Sequence, residues 1–405
     1  MHYAVPRIFE EAGLLERLYT DAYVGNKPWL ETSLRTIPQF IRPRIIERWL
    51  GRTEPRVPPG KVTSFDLFGL LGSVAYARTG DEKSRGDFFA KHGRAFNRRI
   101  LACGFGRADT VWGFTGGAAE LFRAAKRHGI TCIFEQTGCS RAHRELLRSE
   151  ENARWPGWQP DLDAEQTGRE SLRPLFVLER EEIEHADQVI VASDFTRRSL
   201  ATSGYRTDNV VEVPYGIDHA RFFPVANVRS IRPKRLTVLY AGNVELVKGI
   251  PYLLQAIGRL DSNNVDVLIA GPTNLSHDLL KPFQNRVRFL GPVPRQRMPD
   301  LFRSADLFVL PTLGEGFGVV QIEALASGVP VITTPNCGAV VRDGIDGHIV
   351  PIRDADAIAH WLDHYASNPA ALAPLRANAL ERAASYTVEA YGQRLLAAIG
   401  AVKSA

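Results

Sequence analysis

Two glutamates spaced eight positions apart lie in the stretch "PTLGEGFGVVQIEALASGVPVITT", residues 311–334. Glu315 stands in a glycine-rich turn, whereas Glu323 stands inside an apolar helical pattern. The free N–H groups at the start of such a helix bind anions, and Gly316 and Gly318 allow a ligand to approach the backbone. A carboxylate in apolar surroundings needs a partner such as a sugar hydroxyl. The pattern therefore fits a nucleotide sugar. The alternative is a capped helix with one solvated and one paired glutamate.

A second glycine-ended segment, "LYAGNVELVKGIPYLLQA" at residues 239–256, carries a lysine directly before a predicted helix. The helix macrodipole opposes a cation at an N-terminus unless an anion also lies there. We therefore predict that Lys248 clamps a phosphate, because its ammonium is a compact charge. The alternative is an exposed loop lysine that binds nothing.

Apolar strands alternate with helices through both halves of the chain. The strands are continuous apolar runs, as expected of strands buried on both faces of a parallel sheet, and this alternation predicts doubly wound α/β domains. Strands are predicted at 109–117, 130–135, 187–193, 236–242, 265–271, 287–293, 306–312 and 329–334, and helices at 118–129, 175–186, 194–204, 251–260, 298–305, 319–328 and 355–367. Residues 210–218 lead out of the first half, near the predicted domain boundary.

The organisation predicted from this pattern is two Rossmann-like domains that face each other across a cleft lined by the carboxyl ends of the strands. Residues 1–212 are predicted as the N-terminal domain, 213–385 as the C-terminal domain and 386–405 as a final helix. A further strand is expected within residues 17–24. No glycine-rich strand-to-helix turn begins the chain, which leaves open whether a first strand precedes residue 1.

From residue 187 onward the chain resembles the retaining, GT-B-fold glycosyltransferases of family 4, or group 1. The Glu-x7-Glu segment with its flanks is the most specific match. The matching segments are "YAGNVELVKG", "FLGPV", "ADLFVLPTLGEGFGVVQIEALASGVPVITT" and "GAVVRDGIDGHIVP", with weaker matches in "VIVASDFTRRSL" and "VPYGIDHARFFP". The resemblance implies an N-terminal acceptor-binding domain, a C-terminal donor domain and a last helix that crosses back to the first domain.

Site roles follow from the same resemblance. It implies that Lys248 grips the donor diphosphate and that Glu315 faces the donor sugar, the two catalytic positions. It also implies that Glu323 binds the ribose and that the backbone of Phe317, Gly318 and Val319 lies beside the diphosphate and the sugar. The base is implied to pack near Val293.

One position departs from the family pattern. The family usually has arginine after the glycine that ends the first donor-domain strand, but Asn243 follows Gly242 here. The neutral side chain removes half of the usual cationic clamp. Arg295 or Arg297 could substitute; otherwise diphosphate binding is weak and the chain is a non-catalytic binding module.

The N-terminal half matches less closely. Family members often carry a histidine near the end of an early strand, close to the sugar. Here that strand ends at Glu135, and His143 follows a little further on. Both are candidate ligand contacts, with a structural or acceptor-facing role as the alternative. The pair Gly116–Gly117 indicates either acceptor contact or a tight turn.

No metal or other cofactor is predicted. The "DLD" at 161–163 imitates an Asp-x-Asp metal motif but follows "ARWPGWQP" rather than an apolar strand, so we interpret it as a loop. No other His, Cys or Asp cluster has metal-ligand spacing. Ser193 precedes a helix and is interpreted as its N-cap.

The charge is unevenly distributed. The net charge is +5, yet residues 27–107 alone contain 16 Lys/Arg against 7 Asp/Glu. Such a region suits anionic lipid, a phosphorylated acceptor or nucleic acid, or it is an arginine-rich solvated surface. Nucleic acid is ranked last because no aromatic residues interleave the basic ones as a platform.

The location predicted is the cytoplasm, with peripheral contact at the inner membrane face through this basic region. No signal peptide begins the chain, no apolar run is long enough to cross a bilayer, and the four scattered cysteines are typical of reduced thiols.

The function predicted is transfer of a sugar from a nucleoside-diphosphate sugar to a hydroxyl acceptor with retention at the anomeric carbon. The acceptor is a glycan, a lipid-linked molecule or a small molecule. The resemblance implies that the leaving phosphate takes the acceptor's proton. Besides the binding module, the alternative is a GT-B sugar epimerase or phosphorylase.

Overall fold

The computed structural model describes residues 3–38, 42, 46, 49–80, 82–159, 167–224, 235–261 and 264–403. The chain divides into two compact units, Met1–Glu135 with Leu162–Val189, and Gln136–Asp161 with Ile190–Ala405. The predicted boundary at residue 212 and the crossing of the last helix stay predictions. The loop predicted at 161–163 lies outside the described residues.

Twelve strands occur among the described residues. They are β1 (Leu18–Thr20), β2 (Val62–Ser64), β3 (Thr110–Phe114), β4 (Thr131–Gln136), β5 (Gln188–Val191), β6 (Val210–Glu212), β7 (Leu236–Ala241), β8 (Val265–Ala270), β9 (Val287–Gly291), β10 (Leu307–Leu310), β11 (Val331–Thr333) and β12 (Gly347–Ile349).

The α-helices of the described residues mostly alternate with these strands. They are Ala4–Glu11, Pro28–Arg35, Asp66–Ala77, Glu82–Cys103, Ala119–Arg127, Arg141–Arg154, Thr167–His185, Asp194–Thr202, Ile250–Arg259, His277–Leu280, Met298–Ser304, Val319–Ala326, Ala355–Ser367, Leu372–Ala383 and Val388–Lys403. None of them is both long enough and apolar enough to cross a membrane.

The largest sheet belongs to the second unit and has the strand order β12-β11-β10-β7-β8-β9. All neighbouring pairs are parallel. From β7 the chain moves outward through β8 to β9, and it then returns to the other side of β7 as β10. The order of strands therefore reverses between β7 and β10, and in doubly wound sheets ligands bind at the carboxyl ends beside such a reversal. This sheet confirms the predicted doubly wound fold of the C-terminal half.

A four-stranded sheet has the order β3-β4-β5-β6, and β1 pairs with β2 in a separate two-stranded sheet. The strand expected within residues 17–24 is confirmed as β1. The helix predicted to begin at residue 175 begins earlier, at Thr167, and contains Pro174. Residues 167–172, "TGRESL", are mostly polar, so apolar periodicity does not reveal the first turns of this helix.

The glycine pair after β3 forms a tight turn. Gly116 has a φ of 87°. The N–H groups of Gly116 and Ala118 each donate to the buried Glu182 carboxylate at 2.9 Å. A protein carboxylate thus occupies the N-terminus of the helix Ala119–Arg127, where an acceptor anion would otherwise bind.

Candidate functional site

The candidate site begins where β7 and β10 end. Gly242 follows β7, and the Tyr240 hydroxyl donates to the Asn243 carbonyl oxygen at 2.6 Å, which holds the turn. Burial raises the pKa of Tyr240 well above its ordinary value, and the charges of Glu315 and Glu245 raise it further. The phenol therefore stays a hydrogen-bond donor and fixes the turn after β7. This turn lies beside residues 311–318, which we call the glutamate loop.

The loops after β7 and β10 contact each other directly. The Leu313 N–H donates to the Val247 carbonyl oxygen at 2.9 Å. The Lys248 ammonium bonds the Glu315 carboxylate, and both side chains are largely buried, with 14% and 27% exposed. The structure therefore brings together the two residues predicted to be catalytic, at the strand reversal of the sheet.

The approach of the two loops depends on Gly249. Its φ is 72°, in the left-handed region, and it is the N-cap of the helix Ile250–Arg259. A side chain at this position would overlap the Pro311 carbonyl oxygen. Glycine is therefore required both for its backbone conformation and for the space between the loops.

We expect Gly249→Ala to lower the free energy of unfolding by about 2–5 kcal/mol, from left-handed strain and overpacking. The matched control is Gly258→Ala in the same helix, where an added side chain meets no atom within 4 Å. That control should be about 0.5–1 kcal/mol more stable than the parent protein. Urea denaturation of both variants measures the difference, and equal stabilities would contradict the role of Gly249.

The helix after the glutamate loop starts as predicted. Gly318, with φ 74°, is the N-cap of Val319–Ala326. Phe317 is buried, and its carbonyl oxygen accepts from the Gln321 side chain and from the Gly338 N–H, both at 2.9 Å. The helix N-terminus therefore lies beside the Lys248–Glu315 pair, with its first N–H groups at the carboxyl end of β10.

Glu323 lies one turn into this helix and is half-buried. Burial raises the pKa of its carboxyl group, while the positive charges of Arg295 and Arg221 act in the opposite direction. Within the part of the chain that the structure describes, no hydrogen-bond donor contacts this carboxylate. A half-buried carboxylate near two cations can accept hydrogen bonds from ligand hydroxyls.

Arg295 and Arg221 lie on the same side of the site. The Arg221 guanidinium donates to the Arg295 carbonyl oxygen at 3.3 Å. Val293 is two residues before Arg295, in the turn after β9. Asn243 is exposed. Arg295 was a predicted substitute for the missing arginine. Arg221 was not predicted, although it lies in the quoted segment "VPYGIDHARFFP", because nothing in that segment indicates a partner 74 residues away.

The glutamate loop rests on the start of the helix Asp194–Thr202, which belongs to the same unit. The Gly316 carbonyl oxygen accepts from the hydroxyls of Ser193 and Thr196, the latter at 3.0 Å. Ser193 also accepts from the Thr196 N–H at 3.2 Å, which confirms it as the N-cap of Asp194–Thr202. The second bond of Ser193 was not predicted, because its partner is 123 residues away.

The segment that contains Lys248, Glu315 and Glu323 matches a known protein family. Residues 235–368 match the family model of glycosyl transferases group 1. This segment belongs to the group 1 glycosyltransferases. The family named by resemblance is thereby confirmed for residues 235–368, the segment that carries Lys248, Glu315 and Glu323.

Other known proteins resemble longer parts of the chain. It is 29% identical over 242 residues to a D-inositol 3-phosphate glycosyltransferase of Mycobacterium sp. (strain KMS), a match covering 55% of this chain and 54% of the relative. The chain thus spans about half the length of the curated relatives it matches. The relatives extend the similarity into the region before residue 235.

Solved structures confirm the predicted GT-B fold. Sucrose-phosphate synthase from Thermosynechococcus elongatus matches with a TM-score of 0.62 at 21% identity, over 79% of each chain. Anabaena HepE in complex with UDP matches with a TM-score of 0.61 at 17% identity, over 95% of this chain and 100% of that one. Identities this low support the fold alone.

His143 lies in the second unit, close to the glutamate loop. Its ring packs edge-on against Phe195, with centroids 5.6 Å apart, and Phe195 also abuts Gly314 of the glutamate loop. Burial lowers the pKa of His143, so the neutral imidazole is favoured. Its buried Nδ1 has no hydrogen-bond partner among the residues described. A ligand contact through this residue stays a prediction.

Glu135 belongs to the first unit. It is buried and accepts from the Trp112 indole N–H at 3.2 Å. This contact fits the structural alternative, while a role toward the donor or the acceptor stays a prediction.

Sequence reasoning missed Asn336, which shapes the glutamate loop. Its carbonyl oxygen accepts from the Glu315 N–H at 2.9 Å, and its side-chain amide donates to the Leu313 carbonyl oxygen at 2.8 Å. The residue follows β11, so the neighbouring strand supplies the support. The short "PNCG" turn gives no local sign of this role.

Within the described ranges, no group of three or more His, Cys, Asp or Glu side chains could hold a metal ion. The metal independence predicted for the reaction stays a prediction, because it concerns the bound complex.

Proposed function

We propose that this chain transfers a sugar from a nucleoside-diphosphate sugar to a hydroxyl acceptor, with retention and without a metal ion. The observation that carries this proposal is the Lys248–Glu315 pair at the strand reversal, beside the helix N-terminus at Gly318. A cation, free helix N–H groups and a carboxylate are here concentrated at one edge of one sheet.

The donor diphosphate is proposed to bind between Lys248 and the first N–H groups of Val319–Ala326. In the structure the Glu315 carboxylate neutralises Lys248. A phosphate group competes for the same ammonium, because its several charged oxygens accept strong hydrogen bonds. When the phosphate replaces Glu315 as the partner of the Lys248 ammonium, the Glu315 carboxylate becomes free to accept hydrogen bonds from the donor sugar.

The ribose is proposed to bind at Glu323. Its raised pKa reflects a carboxylate short of solvent, and two ribose hydroxyls would supply the missing donors. The charge of Arg295 close to this carboxylate supports Arg295 as the cation that compensates for Asn243. The base would then pack near Val293.

The chemical step proposed is a same-face displacement. The bond between the anomeric carbon and the diphosphate oxygen breaks, and a bond from the acceptor oxygen to that carbon forms on the same face. The acceptor's proton passes to the departing phosphate oxygen, so no side chain is needed as a base. Lys248 and the helix N–H groups stabilise the negative charge that develops on the leaving group.

The first test is a thermal-shift series with UDP, GDP, ADP and TDP and their common sugars, with and without EDTA. UDP-sugars are the leading candidates, because HepE resembles this chain and was solved with UDP. A nucleotide at 100 times its Kd should add about 2.7 kcal/mol of stability. A shift with one nucleotide, unchanged by EDTA, supports the proposal.

Absence of any shift would contradict donor binding and favour the non-catalytic alternative. Assays with and without an acceptor separate transfer from an epimerase or a phosphorylase. The hydroxyl acceptor is proposed to be a glycan, a lipid-linked molecule or a small molecule, inositol phosphate among them in view of the relatives' name. The anomeric configuration of the first product, read by proton NMR, tests retention.

A further inference from the structure

The helix Asp66–Ala77 of the first unit presents an apolar stripe to solvent. The stripe consists of Leu67, Leu70, Leu71 and Val74, which are 70%, 38%, 60% and 42% exposed. Their i, i+3, i+4, i+7 spacing places them on one face of the helix. We call these four residues the Leu67 stripe. A contiguous exposed apolar face of this kind marks an interaction surface.

The opposite face of the same helix is fixed against the rest of the unit. The Phe68 ring stacks on the His92 ring with centroids 4.1 Å apart. Gly72 also lies against His92, and Gly69 is buried beside the Asp21 carbonyl oxygen. The helix therefore cannot rotate to bury its leucines without losing these contacts.

The charge at the stripe is positive. The sole acidic residue of the helix, Asp66, is paired with Lys27 at 2.6 Å. The exposed Arg78 follows Val74 by one helical turn, at the C-terminal end of the stripe. Arg78 and Lys27 belong to the strongly basic region 27–107.

An exposed tryptophan lies near the start of the stripe. Trp29 is in the helix Pro28–Arg35, two residues after Lys27, whose ammonium bonds Asp66 next to Leu67. An indole ring has an apolar body and a polar N–H, which suits the boundary between lipid and water.

We propose that the Leu67 stripe docks on the surface of an anionic lipid bilayer. The helix has 12 residues, so it is roughly 18 Å long and lies along the surface rather than across a hydrocarbon core of about 30 Å. Leucines enter the acyl boundary while Arg78 meets lipid phosphates. A second copy of the chain fits less well, because a two-fold contact would bring the same cations together.

The test uses the full chain and vesicles of phosphatidylcholine with and without phosphatidylglycerol, with binding followed by co-sedimentation. We expect binding to the anionic vesicles only, weakened by salt. The double variant Leu67→Gln and Leu71→Gln should bind them roughly tenfold or more weakly, because two apolar side chains are lost from the lipid.

The matched control is the double variant Leu14→Gln and Leu146→Gln, which changes two other exposed leucines. It should bind as the parent does, and circular dichroism checks the fold of both variants. Equal vesicle binding by the Leu67/Leu71 variant and the parent would overturn the proposal. The proposal would also be overturned if the parent sedimented as a dimer, the Leu67/Leu71 variant sedimented as a monomer, and both bound lipid equally. A second copy of the chain would then be the partner of the stripe.

Discussion

Replacing Lys248 by alanine is expected to lower kcat/KM by about 10²–10³-fold, because preorganised charges at a leaving group contribute effects of this size. The ammonium is largely buried beside Glu315 and has a fixed position at the strand reversal. Its loss removes the cation proposed to hold the diphosphate and leaves the neighbouring carboxylate to repel it. Steady-state kinetics with the nucleotide sugar found by thermal shift measure the effect.

The matched control is Lys281→Ala. Lys281 is exposed and pairs with Asp278 at 2.7 Å. This variant removes an ion-paired lysine from the same unit and should leave kcat/KM within about twofold of the parent, since exposed pairs contribute little. If Lys248→Ala retained full turnover, the proposed grip on the diphosphate would be wrong.

Glu323→Gln should separate binding from stability. Donor affinity is expected to fall by about 10–100-fold, since hydrogen bonds to a charged group are worth roughly 1.5–3 kcal/mol. At neutral pH and without nucleotide, the variant should unfold at a higher temperature than the parent. The reason is that burial of the Glu323 carboxylate disfavours its charged form in the folded protein.

The pH dependence has a definite sign. The folded-state pKa of Glu323 is raised, so its contribution to stability is fully present below the unfolded value, near 4.5, and is lost as the pH rises through the folded pKa. The stability advantage of Glu323→Gln should therefore appear at neutral pH and shrink toward zero below about pH 4.5. Melting curves at several pH values measure this difference.

A useful control for Glu323→Gln is Glu381→Gln, in which the glutamate is exposed and 3.4 Å from Arg342. It should change neither the donor affinity nor the pH profile. A Glu323→Gln protein that binds nucleotide as tightly as the parent would argue against ribose binding at this carboxylate.

Much of the second unit was predictable because its strands are buried on both faces. The sequence of Leu307–Leu310 is entirely apolar, and all four residues are buried. Such runs differ clearly from the helices between them. The glycines at the strand ends then located the turns that are predicted to bind the ligand, and the predicted helix start beside Phe317 and Gly318 agrees with the structure.

The mutual pairing of site residues was not predictable in the same way. Lys248 and Glu315 were each expected to contact a ligand, but in the structure they bind each other across 67 residues. Asn336 supports the loop from a neighbouring strand. Such contacts depend on which strands are adjacent, and local sequence patterns do not contain this information.

The helix Asp66–Ala77 was also not predicted. Leucines occupy one of its faces, while phenylalanine and glycine occupy the other. Because both faces are apolar, the segment lacks the polar side by which an amphipathic helix is recognised in sequence. Apolar residues on both faces therefore explain why the helix was not recognised. They also explain why its leucines stay exposed, since the other face packs against the unit.

The glycines of the glutamate loop have a consequence for building chimeric enzymes. A side chain at Gly314 would come within 2.6 Å of Leu147, and one at Gly316 within 2.7 Å of Gly138. Residues 137–147 and the loop around Glu315 are therefore shaped to each other, although a junction at residue 212 would separate them. Exchange of whole halves between relatives should succeed only when these two segments come from the same parent.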